Sequence, residues 1–202
     1  MRTYELSFKF KGAREYVHGP DIYTAVMNIC KSEYGLENIS SFKLIMHNFT
    51  RNQCRLILDP KGLPEDVERM VADFSVSVHD KSHHGWVVED NMMIVDRYEF
   101  DESQIKALSV IETHKVSIDG NIGYSPVEVA VSLTKQMHYD LFPDVAGKWI
   151  VTRFELDRPF VDLDALQLTV VFEHNSQFRL TKSKLLSNGV AFGHIFFSLV
   201  KL

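Results

Sequence analysis

The residues best suited to chemistry gather in three places along the 202-residue chain. His18 stands in His18-Gly19-Pro20-Asp21, with Tyr16 and Tyr23 on either side. Tyr124 and Ser125 lead into Pro126-Val127-Glu128. His79, His83 and His84 crowd into one short segment. An imidazole or carboxylate can act as a general base on water if its pKa suits the working pH. Histidines can also ligate a metal. Ligand spacing of the usual zinc kinds occurs nowhere in the chain, so neither a metal nor another cofactor is expected. The 79–84 segment reads instead as a solvated hairpin loop between two strands.

Other catalytic signatures are missing. No glycine-rich phosphate loop, no Gly-x-Ser-x-Gly elbow and no Cys/His pair can be found. Cys30 and Cys54 lie in apolar stretches and read as small buried thiols. Two cysteines are too few for a disulfide scaffold. The net charge of −5 is mild and no Lys/Arg cluster stands out, so there is no footprint for nucleic acid. A hydrophobic fraction of 45% with 24% charged residues is ordinary for a globular protein. The longest apolar run, 190–200, is broken by His194 and is too short to span a bilayer. No signal peptide can be built at the N-terminus. The expectation is a soluble, cytoplasmic protein without membrane contact.

Two helices must carry the polar clusters. Pro20 and Asp21 suit a first helical turn. Ile22, Ala25, Val26, Ile29 and Cys30 then recur at helical spacing until Tyr34-Gly35. In the second half Ser125, Pro126 and Glu128 form a capping-box arrangement, and Val127, Val131, Leu133 and Met137 cover one side. These polar residues have plain structural readings too. His18 can bond a loop, Asp21 can charge the first turn, and Glu128 can close a cap. Tyr23 and Tyr124 can be packed rings with satisfied hydroxyls.

Around the helices lie strands. Residues 4–10 alternate, placing Leu6, Phe8 and Phe10 on one face. Strands are expected at 41–49, 54–58, 73–79 and 86–95, with a short extended piece near 98–100 and a short helix at Pro64–Met70. The second half offers 114–118, then 148–156, 165–173, 177–183 and 190–200. Its order repeats the first. Phe8, Phe10 and Gly12 match Val116, Ile118 and Gly120 at an offset of 108. Ala25-Val26 match Ala130-Val131 at 105, and Phe42, Leu44, Leu56 and Leu58 match Phe154, Leu156, Leu168 and Val170 at 112. Phe74 and Gly85 match Phe178 and Gly189 at 104. Offsets that change only in loops suggest an internal duplication. The copies would be 1–100 and 114–202, joined by a connector at 101–113.

One helix near the start of each copy, followed by a run of antiparallel strands, resembles the hotdog superfamily over essentially the whole chain. A pair of ferredoxin-like units also opens strand–helix–strand, but expects a second substantial helix in each copy. The resemblance implies an α+β double hotdog: two antiparallel sheets, each wrapped around a central helix, joined as a pseudo-dimer. Pairing two copies closes an open sheet edge. Hotdog proteins mostly act on acyl thioesters of coenzyme A or acyl-carrier protein, with sites between two copies at the starts of the central helices. The resemblance therefore implies His18, Asp21 and Glu128 as catalytic candidates, and Tyr16, Tyr23, Tyr124 and Ser125 as substrate-binding ones. A helix start would polarise a thioester carbonyl, and hydrolysis is the first expectation. The His-Phe-Pro-Gly segment of hotdog dehydratases is not present, and Gly123 takes the place of His18 in the second copy. Dehydration or hydration, and a non-catalytic module binding an acyl or polyketide-like ligand, are the alternatives. Hotdog proteins often assemble further, so a homo-oligomer stays open.

Overall fold

Contacts divide the chain into two compact units, Met1–Phe100 and Asp101–Leu202. The computed structural model describes residues 1–62, 67–120 and 123–201.

The first unit runs β1 (Arg2–Leu6), β2 (Phe10–Lys11), α1 (Gly19–Tyr34), β3 (Ile39–Met46), β4 (Asn52–Leu58), β5 (Met70–Val78), β6 (Lys81–Met93) and β7 (Arg97–Tyr98). Its sheet has the order β1-β4-β6-β5-β3, every pairing antiparallel. The expected strand over 4–10 is broken in two. After Leu6 the chain leaves the ladder, and the Gln53 amide takes over both backbone groups of Phe8 (2.6 and 3.0 Å). Phe10 then enters a separate parallel pairing of β2 with β7. The alternation persists across the break because Phe8 is buried in its own right.

Helix α1 buries Ile22, Tyr23, Val26, Met27 and Cys30, while Ala25 and Ile29 of the expected stripe are only half-buried. Tyr23 stands edge-on to Phe42 of β3 at 5.4 Å and ties helix to sheet. Leu44, Leu56, Leu58, Phe74 and Val87 complete the buried face. Each such side chain contributes on the order of 2 kcal/mol. Gly85 in β6 leaves room for Phe74: a Cβ there would lie 2.3 Å from the ring and 2.8 Å from the Ile57 carbonyl.

Strands β4 and β5 both run antiparallel to β6, so they are parallel to each other and need a long link. Of the short helix expected at Pro64–Met70, residues 64–66 lie outside the described residues; Val67–Arg69 form a single 3-10 turn and Met70 opens β5.

The second unit runs α2 (Ser103–Leu108), β8 (Ser109–Glu112), β9 (Lys115–Asp119), α3 (Pro126–Leu141), β10 (Lys148–Leu156), β11 (Gln167–Ser176), β12 (Leu180–Ser187) and β13 (Val190–Val200). Its sheet has the order β8-β9-β11-β12-β13-β10, again antiparallel throughout. Part of the expected 101–113 connector is therefore strand β8, paired to β9. Short links make the difference from the first unit. Gln177 and Phe178 (φ 50° and 61°) turn β11 directly into β12, and Asn188-Gly189 (φ 49° and 75°) turn β12 into β13. Four sequence matches do not hold in three dimensions. Phe8 and Phe10 lie outside the large sheet, whereas Val116 and Ile118 belong to β9. Phe74 is buried inside β5, whereas Phe178 sits in a hairpin turn. Gly85 lies within β6, whereas Gly189 is a turn residue.

Helix α3 is buried nearly all round, with Val127, Ala130, Val131, Leu133, Met137 and His138 inside. Among the described residues no helix is long and apolar enough to cross a membrane.

Candidate functional site

The two helix starts are built differently. His18 is the N-cap of α1, with extended backbone (φ −74°, ψ 140°). Its carbonyl accepts from the N–H groups of Asp21 (2.9 Å) and Ile22 (3.2 Å), which fixes the residue at the mouth of the helix. The residue is 9% exposed. One turn further, Asp21 Oδ1 accepts from the Lys11 ammonium at 2.9 Å and from the Tyr98 hydroxyl at 3.2 Å. Lys11 is wholly buried. Its ammonium lies 4.5 Å from the centroid of the Phe100 ring and 5.5 Å from that of Tyr98. A buried cation needs such a counter-charge, so the Asp21 carboxylate neutralises Lys11.

Tyr16 is half-buried, its ring edge-on to Phe49 at 4.8 Å. Tyr23 points into the core against Phe42. Between Tyr16 and His18, the Val17 N–H donates to the Thr50 carbonyl at 3.0 Å. Thr50 is in turn anchored on Glu89 by its hydroxyl at 2.8 Å.

At the α3 start the Ser125 backbone N–H and hydroxyl both donate to Oε2 of Glu128 (2.9 and 2.7 Å). Pro126 opens the helix at its first position. The Tyr124 hydroxyl donates to the carbonyl of Asp101 at 2.7 Å. A groove of about 300 Å³ runs beside this start. Tyr124, Ser125 and Pro126 line one side, and Asp162, Leu163, Ala165 and Leu166 the other. Its far wall is held by Arg158, which grips both oxygens of Asp164 at 2.8 Å. The α1 start thus offers a nearly buried imidazole, and the α3 start a groove with hydroxyl groups at a helix N-terminus. Both ends carry the partial positive charge that favours a developing oxyanion.

No family model matches the sequence, and no curated protein matches it. Solved structures do. The dehydratase domain of PpsC from Mycobacterium tuberculosis, in complex with C12:1-CoA, aligns over 98% of this chain and 92% of its own, with a TM-score of 0.55 at 8% identity. A candidate thioesterase II from Thermobifida fusca aligns over the same shares with a TM-score of 0.52 at 8% identity. The TesB protein of Mycobacterium avium subspecies paratuberculosis covers 96% of this chain and 91% of its own, with a TM-score of 0.50 at 10% identity. The chain has a hotdog fold.

Several other reactive-type side chains are accounted for structurally. Burial pushes the thiols of Cys30 and Cys54 up to about 12, so neither is a thiolate at neutral pH. His79 and Asp80 form the turn between β5 and β6, at φ 46° and 64°. His83 and His84, expected in that loop, belong to β6. His83 donates through Nδ1 to the Asp59 carboxylate at 3.1 Å and packs tilted against Tyr34, with ring centroids 4.5 Å apart. Among the described residues no three His, Cys, Asp or Glu side chains are arranged to hold a metal ion.

Two features lay beyond sequence reasoning. One is the Lys11–Asp21 pair, since nothing local links Lys11 to a residue ten positions on. The other is His138, late on α3 and fully buried. Its Nδ1 meets the Thr134 carbonyl and its Nε2 the Thr181 hydroxyl, both at 2.6 Å. Rings of Trp149 and Phe197 lie 4.4 and 5.3 Å away. Desolvation lowers its pKa from 6.5 to about 4, so it stays neutral near pH 7.

Proposed function

We propose that the chain is a double hotdog, a fused pseudo-dimer, that binds the acyl thioester of coenzyme A or of an acyl-carrier protein and hydrolyses it. Candidate contacts stand at the start of α1 in the first unit and at the start of α3 in the second. His18 is the group that activates water; Asp21 holds the start of α1 and Glu128 that of α3. Tyr16, Tyr23, Tyr124 and Ser125 shape the binding surface, with the groove beside Tyr124 and Ser125 taking part of the ligand. A cytoplasmic setting, where such thioesters are made, goes with this reading.

The observation that carries the proposal is the nearly buried imidazole at the N-cap of α1 in a hotdog fold. A dipole-bearing helix end and a histidine beside it supply the two things thioester hydrolysis requires: stabilisation of an oxyanion and a base for water. Likeness to a dehydratase domain solved with an acyl-CoA, and to a candidate thioesterase, supports the substrate class.

A second reading has its own support. Both carboxylates at the helix starts are already engaged, Asp21 by Lys11 and Glu128 by Ser125. This favours a non-catalytic module that binds an acyl or polyketide-like ligand without turning it over. A panel of acyl-CoA and acyl-carrier-protein thioesters, followed by release of free thiol, separates the two. Turnover abolished by His18→Ala supports the hydrolase. Saturable binding without thiol release supports the binding module, and absence of both defeats the acyl-thioester proposal.

A further inference from the structure

The loop that delivers His18 to the start of α1 is strapped down by the segment that follows β6. Backbone bonds begin it. The Phe10 N–H donates to the Asp96 carbonyl and the Gly12 N–H to the Tyr98 carbonyl, both at 2.9 Å. A parallel pairing of two residues per strand is too short to hold on its own. Side chains complete it. Nη1 of Arg97 donates to two successive turns of the loop, the carbonyl of Gly12 and that of Arg14, the latter at 2.7 Å. Its guanidinium also lies over the Phe10 ring at 5.3 Å. Gly12 turns the chain at φ 58°, just where Arg97 grips it. At the other end of the loop, Val17 is fixed to Thr50. Between these two anchors the backbone has little freedom, and His18 follows directly.

We infer that Arg97 is a positioning residue: by clamping the carbonyls of Gly12 and Arg14, it fixes the loop that sets the His18 imidazole at the mouth of α1. The inference rests on the reading of His18 as the water-activating base. Arg97 touches no reacting atom in this scheme and acts only through the loop. A charge-assisted donor to two carbonyls outside any helix or ladder is a strong tie. Small misplacement of a catalytic group costs rate out of proportion to stability.

The full-length chain with Arg97→Met and Arg97→Lys tests this. Amide hydrogen exchange, thermal midpoint, and kcat and KM for decanoyl-CoA hydrolysis would be measured together. Arg97→Met is expected to speed exchange across 12–17 by roughly tenfold while β3 to β6 keep their protection. The thermal midpoint is expected to stay within about 2 °C of wild type. The same variant should lower kcat about tenfold or more and leave KM within about twofold. Arg97→Lys, whose ammonium can still donate to both carbonyls, should recover most of the loop protection and of kcat. Unchanged exchange at 12–17 in Arg97→Met, exchange raised evenly over the whole unit, or a wild-type kcat in that variant would overturn the inference. A wild-type chain that turns over no thioester defeats the hydrolase reading by that result alone, and the clamp is then judged on its exchange pattern.

Discussion

The ammonium of Lys11, with no exposure to solvent, stands 2.9 Å from Oδ1 of Asp21 in the first turn of α1. The pair ties the short β2 segment to the helix that presents His18. Breaking a buried pair from one side leaves an uncompensated charge, whereas removing both charges does not. Asp21→Ala should therefore cost about 3 kcal/mol in urea unfolding. The double variant Lys11→Met, Asp21→Leu should cost clearly less than its two single changes added together. Additive costs would show that the pair does not act as a unit.

His138 makes stability depend on pH. Its pKa falls from 6.5 in the unfolded chain to about 4 in the fold, because burial disfavours the charged ring. Between these values the unfolded chain binds a proton that the folded chain does not. The stability it contributes is thus complete above pH 6.5, declines as the pH drops, and is gone below about 4. The total is roughly 3 kcal/mol. His138→Phe, which keeps a ring among Trp149 and Phe197, should flatten the unfolding free energy between pH 6.5 and 4. An equally steep decline in the variant would place the titrating group elsewhere.

Gly85→Ala puts a Cβ 2.3 Å from the Phe74 ring and 2.8 Å from a backbone carbonyl, and the second contact cannot move aside cheaply. Overpacking of this kind costs about 2–3 kcal/mol, or roughly 5–10 °C in thermal midpoint for a chain of this length. Gly189→Ala probes a different effect, since nothing lies within 4 Å of its Cβ and only the φ of 75° is strained. Its smaller loss, about 1 kcal/mol, should leave the core packing signals unchanged.

The Ser125–Glu128 contact separates capping from catalysis. Glu128→Gln can still accept from the Ser125 N–H, so the helix should stay as stable as in wild type to within about 0.5 kcal/mol. Glu128→Ala should cost about 1 kcal/mol. If Glu128 only holds the α3 start, thioester turnover follows stability and survives the glutamine change. A large loss of kcat in Glu128→Gln would instead give the carboxylate a chemical role.

Both helices could be read from the sequence because local signals fix them: His18-Gly19-Pro20-Asp21 and Ser125-Pro126 at the starts, Gly35 at one end. The eight long strands, β3 to β6 and β10 to β13, were visible for a similar reason, as alternation records burial on one face. Strand order was not. It depends on link length, and the three residues from Gln177 to Arg179 force β11 and β12 into a hairpin where β4 and β5 are separated by β6. Asn188-Gly189, which makes the β12–β13 turn, is a hairpin signal that the strand pattern alone does not use. The break after Leu6 was hidden because Phe8 remains buried off the strand. At the candidate site, His18, Asp21, Ser125 and Glu128 could be placed from caps alone. Lys11, Tyr98 and Phe100 could not, since Tyr98 reaches Asp21 across 77 positions and Phe100 meets Lys11 only through the tertiary fold.

Binding of decanoyl-CoA, measured by calorimetry in the same preparation as thiol release, bears most directly on the acyl-thioester proposal. Saturable binding by the wild-type chain, weakened or stripped of turnover by His18→Ala while the thermal midpoint holds, is the predicted result. Heat indistinguishable from dilution with decanoyl-CoA and with its acyl-carrier-protein counterpart, in a chain shown to be folded, would contradict it.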